Sequence, residues 1–228
     1  MQGDNVRLFM QWDAGLHAQS LDMDLGCRIS YADDKTEDCA YYNLVCHGAK
    51  HSGDIRSIPE IVGTAEYINL SPPKLAENGA KYVTFTSNAH SGGTISTNLV
   101  MGWMHSQHEM RISEKKGVAY DPSCVQHMLR ISEDNLAKRL VFGVLDVEKR
   151  EIIWLEMPFT TQTTGRADRR AIEALLKRLE EKTSIGQLQQ LKAKAQNLDI
   201  AENPDLADEQ YTYQWALNPT EVSQLLNF

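Results

Sequence analysis

The chain has 228 residues, 42% hydrophobic and 24% charged, with a formal net charge of −8. That profile fits a soluble globular protein large enough to bury a sizeable core. The acidic balance excludes electrostatic attraction as a route to nucleic acid or an anionic membrane, and no apolar run approaches the roughly 20 residues of a membrane-spanning helix.

The first fifteen residues, MQGDNVRLFMQWDAG, have neither a basic n-region nor an apolar h-region, so a cytoplasmic location is expected. The four cysteines (Cys27, Cys39, Cys46, Cys124) form no C-x-x-C pair and read as reduced thiols, used mainly as small buried apolar residues. Val6–Trp12 reads as a strand, and Leu21–Ser30 alternates apolar with polar at period two. Tyr31–Asp38 is polar and acidic, as a hairpin loop is, and Cys39–Val45 returns to strand-like composition. His47–Gly63 reads as a long irregular loop, a length that in a compact domain often has a task. Glu66–Leu70 is a short strand. Ser71–Gly79 opens with serine and two prolines and ends in glycine, which predicts one or two helical turns. Tyr82–Ser87 is a strand by its β-branched and aromatic content. Leu99–His105 and Met128–Ile131 are weaker strands, while Leu140–Leu145 and Glu151–Met157 form a hairpin around Asp146–Arg150. After Phe159 the polar linker Thr160–Gly165 leads to a helical segment, Ala167–Asn197, with Ile172, Leu175, Leu176 and Leu179 at helical spacing. Gly186 is expected to break this segment into two helices. Tyr211–Phe228 adds aromatics and, from Pro219, a short helical pattern. The expected fold is therefore mainly β, a sandwich domain over residues 1–159 followed by a helical C-terminal extension over 160–228.

Asp22 and Asp24 stand at i and i+2 within a strand pattern. Strand side chains alternate, so the two carboxylates share one face and Leu21, Met23 and Leu25 line the other. Their Cα atoms lie about 6.7 Å apart in such a strand. Two carboxylates at about 4 Å repel by roughly 4 kcal/mol at an effective dielectric near 20, so a convergent set must spread apart, keep a proton or take a cation. Hard oxygen ligands favour Ca²⁺ over zinc. From the residues alone, Asp22 and Asp24 fit an ion site or the solvent face of an edge strand. Asp54, after Gly53 in the long loop, fits an inward-turned ligand or an ordinary Asx turn.

Taken in order, these pieces resemble the TerD family of tellurite-resistance and stress-response proteins. Gln11-Trp12-Asp13 and Leu21-Asp22-Met23-Asp24 stand where that family has a Gly-Trp-Asp element and an acidic Asp-Leu-Asp strand. Tyr41-Tyr42-Asn43 and His51-Ser52-Gly53-Asp54 match its Phe-Tyr-Asn strand and His-Thr-Gly-Asp loop. Glu66–Leu70, Leu75–Gly79 and Tyr82–Ser87 follow in the same order. The match is closest over residues 7–90 and looser to about 159. The resemblance implies a β-sandwich that binds calcium between loops at one end, with Asp13, Asp22, Asp24 and Asp54 as ligands. Asn43 would lend a carbonyl oxygen or brace the loop, and His51 would order the loop rather than bind the ion. One departure matters: after Asp54 the chain runs Ile55-Arg56-Ser57-Ile58-Pro59-Glu60, where the family has a glycine-rich acidic run. Glu60 and Glu66 are the substitutes at hand, and one ion is expected rather than two.

Other motifs carry less chemistry. Cys46, His47 and His51 cluster in sequence, as do His105 and His108, but neither group has the paired spacing of a structural zinc site. His90-Ser91-Gly92-Gly93 lacks the G-x-S-x-G pattern of a nucleophile turn, and no phosphate-binding glycine loop is present. Arg166–Arg170 reads as a solvated helix start or as a contact for an acidic partner. The Ile172–Leu179 stripe packs on the sandwich or serves dimerisation or partner docking. The expected function is that of a non-enzymatic calcium-binding module, with a protein partner or self-association through the C-terminal helices. The alternatives are a divalent-metal-dependent hydrolase using the same carboxylates and a metal-free structural sandwich in a larger assembly.

Overall fold

A computed structural model describes residues 4–12, 22–55, 63–90, 95, 99–113, 115–131, 137–159, 168–208 and 210–212. The chain divides into two compact units, residues 1–174 and 175–228.

The first unit is built on two antiparallel sheets. One runs β11-β8-β1-β6-β5-β4, from Val125–Arg130 (β11), Val100–His105 (β8), Val6–Trp12 (β1), Thr64–Leu70 (β6), Ala49–His51 (β5) and Val45–Cys46 (β4). The other runs β13-β12-β7-β2-β3, from Glu151–Phe159 (β13), Arg139–Asp146 (β12), Ala80–Ala89 (β7), Met23–Tyr31 (β2) and Thr36–Cys39 (β3). The period-two pattern of the sequence explains the pairing of these faces. Leu8, Met10 and Trp12 of β1, with Ile68 and Leu70 of β6, share one core with Met23, Leu25, Cys27 and Ile29 of β2, Val83 and Phe85 of β7, and Leu140 and Phe142 of β12. Burial of each large apolar side chain contributes about 1.5–3 kcal/mol relative to exposure, and Phe85 stacks on Phe142 at 5.8 Å. The mainly β fold expected from the sequence is the fold observed.

The helix predicted after Ser71 spans Pro72–Glu77 (α1), with proline in its first turn and Leu75 buried in the core. A hairpin of Met110–Ser113 (β9) and Gly117–Tyr120 (β10), absent from the sequence reading, covers the outer face of the first sheet. Its Met110 and Val118 join Phe9, Ala65, Val100 and Met104 in a second small core.

Four expectations change. Of Tyr31–Asp38, read as a hairpin loop, only residues 32–35 turn, since Tyr31 ends β2 and Thr36 begins β3. Cys39–Val45 is no strand: Ala40–Asn43 closes a tight turn, and β4 is only Val45–Cys46. The turn wins because Asn43 bonds back along the chain, its amide donating to the Asp38 carbonyl at 2.8 Å, a local bond that competes with strand pairing. The long loop 47–63 contains β5, which pairs with β6. The helical segment parts at 181–184 rather than at Gly186, giving Arg169–Glu180 (α2) and Ile185–Ala195 (α3). Ser184 caps the Gln187 amide while the Gln187 side chain returns to the Ser184 amide, so a reciprocal capping box starts α3 and carries Gly186 inside its first turn.

Within the first unit, Arg169 and Arg170 both pair with Asp34, at 2.9 and 2.8 Å, and Ile172 is buried. In the second unit Leu175, Leu176 and Leu179 are half-buried. No helix among the described residues is long and apolar enough to cross a membrane.

Candidate metal centre

β2 pairs with β3 only from Cys27 to Ser30, and its first residues run on past the end of β3. Met23 and Leu25 point into the core with no exposed surface. Asp24 therefore faces the other way, on the side to which alternation also assigns Asp22. It is nevertheless only 6% exposed.

The loop leaving β5 meets this corner. Gly53 adopts φ +113, a left-handed conformation that side-chain-bearing residues rarely take. Its N–H donates to Nδ1 of His51 at 3.0 Å, and the turn brings Asp54 to Asp24 of β2 and to Asp22, which immediately precedes that strand. One carboxylate oxygen from each of Asp22, Asp24 and Asp54 lies within 4.8 Å of the others. Among the described residues this is the one group of three or more acidic, histidine or cysteine side chains close enough to share an ion.

Electrostatics at the corner is unfavourable without a cation. Burial, then the charges of Glu66, Asp22 and Asp54, push the Asp24 carboxyl up to about 6, with His90 opposing them. His90 stands at the rim, its Nδ1 3.7 Å from Asp22 Oδ2 and its backbone N–H donating to the Asp22 carbonyl at 2.8 Å. The donor set fits calcium. It is all oxygen, and an ion bound at about 2.3–2.6 Å spans oxygens up to about 5 Å apart, which accommodates the observed separation. Nitrogen and sulfur, which would favour a softer metal, are not among the three grouped ligand atoms.

The remaining expected ligands fare differently. Asp13 and Glu60 lie outside the described residues, although Trp12, which precedes Asp13, is buried at the end of β1. Asn43 is placed elsewhere: its side-chain amide serves Asp38 and Cys46 in the 40–43 turn. His51 braces the loop as expected of it. Because Nδ1 accepts from Gly53, the neutral ring carries its hydrogen on Nε2, which faces the Leu25 carbonyl at 3.0 Å and Glu66 Oε2 at 3.5 Å. Cys27, Cys39 and Cys46 are free and buried, and Cys124 is free and half-buried.

Glu66 is the residue whose role the sequence reading missed. It has no exposed surface. Its Oε2 accepts the Leu25 N–H at 2.8 Å and its Oε1 accepts the Ile55 N–H at 3.1 Å, so it is an acceptor for backbone groups and not a replacement for the missing acidic run. Burial pushes its carboxyl up, and the His51 ring and the two amides oppose that. A signal was present: Glu66 alternates with Ile68 and Leu70, both core residues, so its register placed a charge on the buried face.

No family model matches this sequence, and no curated protein sequence does. Among solved structures the chain is similar to the crystal structure of a homologue of the telluride resistance protein TerD from Streptomyces coelicolor A3(2), at 10% sequence identity and a TM-score of 0.49, with 69% of this chain and 91% of that chain covered.

Proposed function

We propose that this chain is a non-enzymatic calcium-binding module of the TerD type, in which an ion held by Asp22, Asp24 and Asp54 orders the loop after β5 for a protein partner. The observation that carries the reading is the convergence of three carboxylates within 4.8 Å at a partly enclosed corner. Without a cation that arrangement is electrostatically strained, and the order of the Trp12-Asp13, Asp22-Met23-Asp24 and His51–Asp54 elements in the sequence points the same way. Asp13 and Glu60 are the expected further ligands from neighbouring loops. The C-terminal helices are the proposed means of assembly or partner docking, and the cytoplasm the proposed compartment. Calcium titration followed by melting temperature tests the ion. The melting point should rise at millimolar Ca²⁺, and Asp22→Ala should abolish the rise. No shift in the wild type sinks the proposal.

His90 beside Asp22 favours one second reading, metal-assisted hydrolysis with the imidazole as base toward an ion-bound water. A phosphoester screen with Ca²⁺, Mg²⁺ or Mn²⁺ separates the two. Turnover that is lost in His90→Gln would establish the hydrolase, and a binding module gives none.

A further inference from the structure

We propose that Glu66 and His51 are positioning residues that assemble the acidic site, an inference that rests on the calcium reading above. The starting point is a defect in the second sheet. Past the end of β3, the N–H and C=O of Leu25 face a position that no strand among the described residues fills, yet Leu25 is fully buried. Buried backbone groups need partners. Here they come from side chains of the opposite sheet: Glu66 on β6 accepts from the N–H, and His51 on β5 donates to the carbonyl.

The same two side chains hold the loop. The Nδ1 of His51 accepts from Gly53, and the free oxygen of Glu66 accepts from Ile55. These two amides flank Asp54, just as Leu25 directly follows Asp24. One buried Glu–His pair thus fixes the backbone beside both aspartates, from two strands of one sheet to a strand of the other. All four contacts lie between 2.8 and 3.1 Å.

The choice of glutamate is informative, because its charge adds to that of the aspartates: it is the largest charge influence raising Asp24. A carboxylate can accept both N–H groups at once, whereas a glutamine presents one oxygen and one NH₂, and the latter would face a backbone donor. The second carboxylate oxygen therefore buttresses the loop, and the negative charge that raises Asp24 attracts a cation. Partners standing behind ion ligands in this way commonly change metal affinity by about 10–100-fold when replaced.

The test is calcium affinity of the full chain by calorimetry, read beside the melting temperature of the calcium-free protein. Glu66→Gln should weaken affinity by at least about tenfold. His51→Gln, whose amide can still donate to Leu25 but carries no acceptor at the Nδ1 position that faces Gly53, should weaken it as well and increase amide exchange at Gly53. A core variant that touches neither the Glu66 nor the His51 hydrogen bonds, Phe142→Leu on β12, should lower the melting point while leaving affinity within about twofold. If the wild type binds calcium and His51→Gln and Glu66→Gln bind equally well, the positioning role is wrong while the metal reading stands. Should Glu66→Gln not fold, His51→Gln decides the matter by the same criterion. A wild type that gives neither binding heat nor a melting shift removes both.

Discussion

Asp24 is enclosed by protein and surrounded by acids, and its titration carries a testable sign. Its carboxyl sits near 6 in the folded chain against an ordinary value of 3.8, so the folded state holds the proton more tightly than the unfolded state does. A raised acid of this kind contributes stability below about pH 4 and loses it as pH rises through about 6. In calcium-free protein above about pH 7, Asp24→Asn should therefore melt higher than wild type. After a reduction for solvent screening, the gain is about 1–2 kcal/mol, or about 3–6 °C. Near pH 4 the two proteins should melt together. On the proposed calcium reading, added calcium should reverse the order at neutral pH, because a carboxylate holds the ion better than the neutral amide that replaces it. Melting curves at three pH values with and without chelator check all of this, and a calcium-free wild type that gains stability from Asp24 ionisation would contradict it.

Elements hold these residues in place, and two of them make sharp predictions. The turn between β4 and β5 passes through Gly48 at φ +80, where an added Cβ would stand 2.9 Å from the backbone nitrogen of Leu75. Gly48→Ala should destabilise the first unit by about 2–4 kcal/mol in urea unfolding, since it combines a left-handed backbone with a clash against α1. β5 and its His51 begin directly after this turn, so calcium affinity should fall too. In the second unit, Ser184→Ala removes half of the capping box that starts α3 and should cost about 1 kcal/mol locally. Faster amide exchange at Gln187 is the measurement. Strong local signals made some elements legible: the β-branched run of β7, the Ser-Pro-Pro start of α1 and the DVEKR turn between β12 and β13. The β9–β10 hairpin was not, because its sequence is mixed and charged and its apolar side chains matter only against the outer face of the first sheet.

At the scale of the whole first unit, the two sheets share one core and the Glu66–His51 pair bridges their seam next to the carboxylates. Ion binding should therefore stabilise the sandwich as a unit rather than quiet one loop. At free calcium one hundred times the dissociation constant, mass action gives about 2.7 kcal/mol. For a unit of this size that is a rise of about 5–10 °C. Near-ultraviolet dichroism and far-ultraviolet dichroism should shift together. A calcium effect seen by tryptophan fluorescence alone would instead mean local ordering.

The sequence by itself determined the class of fold and most strands, because period-two burial and turn chemistry are local properties that neighbouring residues encode. Alternation also set Asp22 and Asp24 on the same side of the chain, although β2 itself begins only at Met23. Only the tertiary structure decided that Asp54, thirty residues away, closes on them, since that depends on a glycine turn and on two amides finding acceptors across the sandwich. It alone drew Asn43 into a turn of its own and made Glu66 the acceptor for a strand edge that β3 leaves uncovered. Whether a polar residue is a ligand, a brace or surface depends on which backbone groups the fold leaves without partners, and pairing across two sheets fixes that only once the chain has folded.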